Sequence, residues 1–195
     1  MKNKLFVVKY SGPFGFIKPW TAVRDSETFS QQFLTPSIVE GIEKKLFPEL
    51  LGIVGIRKIV GHRLSYDQIS QQQEVIQTRG WNSKRKGTQI HFERPIAIIV
   101  RGLLLNPVLF LAFENEDDAD VAFNQHICLC RNEDILLPIG TFKIDVEDFD
   151  NEDTFSGFEL MFEKNNKSFP VGIDRNTGHQ MFGWLKIIGI PVKEF

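Results

Sequence analysis

The chain lacks every compact catalytic signature. Its 195 residues contain no Walker-type phosphate loop, no HExxH, no paired CxxC and no nucleophile elbow, and each of these motifs is specific enough for its absence to remove a familiar chemistry. There is no apolar run of membrane-spanning length and no charged-apolar-small leader. The expectation is therefore a soluble, unprocessed, cytoplasmic protein with no membrane partner. Histidine is scarce, and His62, His91, His126 and His179 show no ligand spacing, so each is expected to be structural or exposed. Cysteine is scarcer still. Cys128 and Cys130 stand two apart in a segment, 123–131, that reads as helix. Side chains so placed point to different sides, which argues against a disulfide or a shared metal site and leaves buried or spectator thiols. The carboxylates Asp145, Asp148, Asp150 and Asp153 lack the glycine and spacing of a calcium loop and read as a solvated turn. No cofactor and no metal are expected.

What the chain does have is charge segregated along its length. Between 57 and 101 there are nine basic residues against three acidic ones; between 114 and 163 there are fifteen acidic against two basic. A net charge of −2 hides a basic face suited to a polyanion and an acidic face elsewhere. The length fits one domain with an insertion and suffices for a real core.

Residues 5–10 (LFVVKY) alternate as a strand, Ser11-Gly12-Pro13-Phe14-Gly15-Phe16 turns the chain, and Thr35 with Pro36 opens a helix whose Ile38, Val39, Ile42 and Leu46 share a face until Pro48 closes it. Strand, glycine-rich loop and helix in that order suit half of a split nucleic-acid-binding module. Residues 50–60 read as a second core strand. Residues 61–89 lose any periodic apolar face and read as a projecting arm; 90–113 read as two strands broken at Asn106-Pro107. An acidic Asp117-Asp118 turn precedes a second helix over 119–131, followed by strands at 140–146, 155–162 and 183–190. The whole is an α+β chain of ferredoxin-like, RRM-like βαββαβ plan over 1–163, with an inserted basic β-arm at about 61–89 and a β-rich C-terminal tail, 164–195, packed on the same body.

The arm is the leading functional candidate. Arg79, Lys84, Arg85 and Lys86 surround Trp81, joining phosphate-neutralising charge to a surface on which a base stacks. Lys18, Trp20 and Arg24, beside Phe14 and Phe16, form a second aromatic-basic set, and Arg57 and Arg63 open the basic run.

The series SGPFGFIKP (11–19), VRDS (23–26) and LTPSIVEGIEKKLF (34–47), followed in order by 53–60, 90–105, LPIGTF (137–142) and FGWL (182–185), resembles the CRISPR-associated Cas-five family, nearest its type I-C branch. The resemblance implies a RAMP-type ferredoxin-like body with a protruding arm. It also implies a place at one end of a CRISPR effector complex of the Cascade kind, gripping the 5′ handle of the guide RNA. The partners it implies are the first backbone subunit and the large subunit, near the entry point of target DNA. Some type I-C relatives cut precursor RNA without metal, through a Tyr or His just after the first helix and a downstream Lys-His pair. Here the first position holds Phe47, and the pair falls on Asp118-Ala119 or, with histidine forced into register, on Gln125-His126. General acid-base cleavage needs positioned titratable groups, so the expectation is a non-catalytic RNA-binding subunit. Two alternatives stay open: a metal-independent endoribonuclease built around His126, and an acidic protein-interaction scaffold that never touches nucleic acid.

Overall fold

Leu5 and Val7 alternate with Phe6, Val8 and Tyr10, so the first strand carries two apolar faces and belongs in the middle of a sheet. The computed structural model, which describes residues 4–19, 26–174 and 177–193, places it there. The chain runs through β1 (Lys4–Ser11), β2 (Phe14–Gly15), β3 (Glu27–Phe29) and helix α1 (Pro36–Leu46), then β4 (Ile59–Ser65), β5 (Ile69–Gln77), β6 (Asn82–Lys86) and β7 (Gln89–Glu93). After β8 (Ile96–Leu105) and β9 (Val108–Phe113) come α2 (Glu116–Phe123), β10 (Ile127–Cys128), β11 (Ile135–Asp145), β12 (Gly157–Met161), β13 (Phe169–Ile173) and β14 (Gln180–Ile188). The fold is mixed α+β and strand-rich.

The main sheet has eight strands in the order β10-β11-β1-β9-β4-β12-β14-β13. β1 is antiparallel to both β9 and β11, and β9 is antiparallel to β4. Strand, helix, strand, strand, helix, strand in the chain thus becomes fourth, first, third, second in space. Val8, Tyr10, Leu111 and Phe113 pack with Val39, Ile42, Leu46 and Phe47 of the α1 region and Ala119 and Ala122 of α2. On the other face Val7, Phe110 and Ala112 meet Phe149 and Phe155 from the 146–156 segment. The Phe110 and Phe155 rings sit edge to face, 5.3 Å apart. Each buried aromatic or aliphatic side chain of this kind contributes about 1.5–3 kcal/mol.

Three expectations are corrected. Residues 51–58 are a loop, not a core strand, and β4 starts only at Ile59. The cause is Glu43, fully buried on α1. Its carboxylate accepts the backbone N–H groups of Arg57 (2.9 Å), Lys58 (2.5 Å) and Ile59 (2.9 Å), diverting amides that a strand would offer to a neighbour. Gly52 and Gly55, at φ of 91° and 86°, supply the left-handed backbone that the loop requires. Second, 61–65 belongs to the body through β4; the arm is the hairpin from 69 to 105. Third, α2 ends at Phe123. Ile127 and Leu129 are buried while Cys128 is half-buried and Cys130 exposed, a period of two that makes 127–128 a strand on β11 and leaves neither thiol in the core. β13, not read individually from the sequence, pairs with β14 at the sheet's far edge.

Candidate nucleic-acid interface

β8 is the spine of the arm. β5 pairs with it antiparallel over nine residues, Ile69↔Leu104 to Gln77↔Ile96, while β2 and β3 meet its other edge. Beyond this ladder β6 and β7 form the tip, from Asn82↔Glu93 to Lys86↔Gln89. The two-residue turn between them puts Gly87 at φ 66°, the left-handed geometry such hairpin turns need.

The base of the arm is clamped to the body. Glu74 on β5 pairs with Arg131 (2.6 Å) and with Arg101 (3.6 Å). Both guanidiniums lie over the Phe16 ring, at 5.4 Å and 5.6 Å. Arg131 is further held by buried Asp134 at 2.7 Å, whose hydrogen bond pushes the guanidinium pKa above its ordinary value. These cations are neutralised in place.

The tip is different. Between 78 and 95 five basic residues face a single acid, Glu93, which pairs with Lys84. Arg85 donates from Nε to the Gly87 carbonyl (3.2 Å), and the guanidinium of Arg94 covers the Trp81 ring at 4.9 Å. Arg79 and Lys86 are exposed and meet no acid among the described residues. Trp81 is 60% exposed and Phe92 66%. Cross-strand register sets Phe92 and Ile90 on one face with Ser83 and Arg85, and Lys84, Lys86 and His91 on the other.

The structure therefore places Arg79, Trp81, Lys84, Arg85 and Lys86 on one tip hairpin, with Lys84 and Lys86 on the face opposite Arg85. Arg94, His91 and Phe92 join them, residues that the sequence reading passed over because they lay beyond its arm boundary. Lys18 is exposed on the segment after β2, and Trp20 and Arg24 lie outside the described residues. Arg57 is exposed on the loop before β4, with Nη2 on the Val54 carbonyl at 3.1 Å.

Arg63 is a correction. It is 1% exposed, bonded to Glu159 and to Asp150 at 2.8 Å, with its guanidinium 4.4 Å over Phe149. Burial lowers its pKa, against the pull of Asp150. Burial alone pushes the Asp150 carboxyl up, but Lys186 at 2.7 Å and Arg63 more than reverse this and hold it below its usual range. This cation holds β4, β12 and the 146–150 turn together and presents nothing to a phosphate.

Phe47 is 1% exposed, edge-on to Phe113 at 6.0 Å and beneath the Lys58 ammonium at 4.0 Å. His126 is exposed between α2 and β10, His91 and His179 are exposed, and His62 is buried. Among the described residues no group of three or more His, Cys, Asp or Glu converges as a metal site, and no helix is long and apolar enough to cross a membrane.

No family model matches the chain, and no curated protein matches it. Among solved structures, a chain of a CRISPR RNA-guided surveillance complex is similar over 96% of this chain and 92% of that chain, at 12% identity and a TM-score of 0.47.

Proposed function

We propose that this protein is a non-catalytic, guide-RNA-binding subunit of a CRISPR effector complex, and that its arm tip grips the single-stranded 5′ handle. One observation carries the reading: cations at the arm's base are neutralised by Glu74 and Asp134, while the tip holds five basic residues against one acid beside two exposed aromatic rings. Charge for phosphates and rings for unstacked bases is the chemistry of single-stranded nucleic acid. The spatial order β11-β1-β9-β4 supports a ferredoxin-like, RAMP-type body, in keeping with the Cas-five resemblance of the sequence. The exposed acids Glu114, Glu116, Asp117 and Asp120 suit the docking of a backbone or large subunit on the side of α2.

The absence of cleavage rests on Phe47. A phenyl ring, buried in the core, neither takes nor gives a proton, and His126 by itself supplies one group where acid-base catalysis needs a positioned set.

The test is binding of the purified chain to the repeat-derived 5′ handle and to an unrelated RNA of equal length across a salt series. A preference for the handle is expected, and replacing Lys84, Arg85 and Lys86 with Ala is expected to flatten the slope of log K against log salt by about 2, from roughly 0.7 per lost phosphate contact. Equal affinity for both RNAs, or an unchanged slope, overturns the reading. Incubation with full repeat RNA in chelator is expected to leave it intact; site-specific cleavage abolished by His126→Ala would make the protein a ribonuclease instead.

A further inference from the structure

The arm has a second asset that phosphate recognition leaves unused. Among the described residues β5 pairs only with β8, so its other edge is open. Two bonds fix the phase of the ladder: Thr78 N–H to the Pro95 carbonyl (3.0 Å) and Leu105 N–H to the Gln68 carbonyl (2.9 Å). In an antiparallel pair, hydrogen-bonded positions alternate. Ser70, Gln72, Glu74 and Ile76 therefore turn their backbone groups toward β8, and Gln71, Gln73, Val75 and Gln77 turn theirs outward.

The side chains of those outward residues share a face with their cross-strand partners, Gln73 with Val100, Val75 with Ile98 and Gln77 with Ile96. Val75 is 69% exposed, Ile98 58% and Ile96 70%. Proteins protect long edges with lysine, proline or bulges. β5 (ISQQQEVIQ) has none of these and keeps unbroken register for nine residues. Its single charge, Glu74, stands on the opposite face, engaged by Arg101 and Arg131.

We propose that the outer edge of β5 is a docking strand for an extended segment of a protein partner, whose alternate side chains are apolar and uncharged, pack beside Val75 and extend the apolar face that Val75 shares with Ile96 and Ile98. The backbone decides between classes of partner. Each outward residue offers both an N–H and a C=O; a phosphate oxygen answers only the first, and the carbonyl is left to whatever 2′-hydroxyl or base amine reaches it. Another peptide backbone pairs both. The charge on this face, Glu27 accepting from Gln71 Nε2 (3.2 Å), is acidic, so the face likewise offers phosphates nothing. This surface is separate from the basic tip, so the arm takes a protein along its shaft and a polyanion at its end.

The experiment is residue-resolved amide exchange by NMR on the full chain in three arms: alone over a concentration series, with a capped nine-residue peptide of alternating Val and Thr, and with oligouridine. The peptide is expected to slow exchange at Gln71, Gln73, Val75 and Gln77 at least tenfold. Gln73→Pro is expected to abolish this while keeping the β8 ladder, because the lost N–H points outward and proline is tolerated at that side of an edge strand. Val75→Lys, which leaves the backbone untouched, is expected to weaken the peptide at least tenfold. The proposal is overturned if the peptide gives no protection or if protection survives both substitutions. It is equally overturned if the chain protects these amides by itself as concentration rises, or if oligouridine protects them. Oligouridine binding that survives Gln73→Pro reports on the tip alone, so this edge and the RNA reading fail or stand separately.

Discussion

Lowering the pH from 8 to 5 is expected to destabilise the protein through one side chain, His62. It lies on β4, 3% exposed, with its backbone N–H donated to Glu159 Oε1 at 3.0 Å and its ring stacked on Phe162, centroids 5.6 Å apart. Its Nε2 has no hydrogen-bond partner among the described residues. Burial, reinforced by the neighbouring Arg63 cation, pushes its pKa down from 6.5 to about 3. A proton that binds the unfolded chain below pH 6.5 is therefore refused by the folded one. The stability is fully present above 6.5 and is lost as pH falls through 6.5 toward 3. At pH 5 the loss is about 2 kcal/mol, a drop in Tm of about 4–8 °C for a chain of this size. Glu40, Asp67 and Asp150, whose carboxyls are held below their ordinary range, stay ionised at pH 5 and add nothing in this window. The assay is thermal unfolding at pH 8, 7, 6 and 5 at fixed ionic strength, for wild type and for His62→Phe. The variant keeps a ring against Phe162, has room in the adjoining cavity of about 170 Å³, and carries no titratable nitrogen. Its profile is expected to be flatter by the stated amount. Parallel profiles for the two proteins would refute the reasoning.

Replacing Arg63 with Met is expected to cost about 3–5 kcal/mol in urea unfolding, because Glu159, 7% exposed, is left as an uncompensated buried charge. The double variant Arg63→Met/Glu159→Leu should recover most of that loss, and a single variant within 1 kcal/mol of wild type contradicts the network. Trp81→Ala and Phe92→Ala are each expected to weaken single-stranded RNA binding by about 1–3 kcal/mol, the usual worth of a stacked base, with no change in Tm; fluorescence anisotropy reads the first and calorimetry the second. Tyr10→Phe removes the buried bond from the hydroxyl to the Ala122 carbonyl (2.6 Å) at the end of α2 and is expected to cost about 1–2 kcal/mol, measured as a shift in the urea midpoint at constant m-value.

Elements whose apolar pattern had one interpretation were legible in the sequence. β1 alternates on both faces, α1 shows Val39, Ile42 and Leu46 at helical spacing behind Thr35-Pro36, and Asn106-Pro107 parts β8 from β9. What failed depended on partners far away in sequence. The run at 50–60 is apolar enough for a strand, but it becomes a loop because a carboxylate on α1 takes its amides, and no local pattern in that run announces Glu43. Ile127 and Leu129 stand two apart, a strand period, but so short a stretch does not by itself part 127–131 from the helix before it, and pairing with β11 decides. The tip was half legible: the KRK triplet on β6 and Trp81 just before it stand out in one stretch of sequence, whereas Phe92 and Arg94 become neighbours only once β7 folds back on β6.

Eight of the nine cations in the basic run at 57–101 fall into two populations, one paired inside the fold and one presented at the tip. Lys58 is held by Glu49 (2.9 Å) and Asp118 (2.8 Å), Arg63 by Glu159 and Asp150, and Arg101 by Glu74, so three of its nine cations pin strands, loop and helix to one another. Arg79, Lys84, Arg85, Lys86 and Arg94 stand at the tip with Glu93 as their single acid. A charge count along the sequence does not by itself separate the groups, because both use the same residue types. Burial separates them: a cation that pairs inside the fold must meet its acid through register and packing, while one that serves a phosphate must reach solvent on an element with few acids of its own. A two-stranded tip, too thin to bury any side chain fully, meets that requirement. Its exposed Trp81 and Phe92, which a packed body would draw into the core, then follow from the same geometry as its charge.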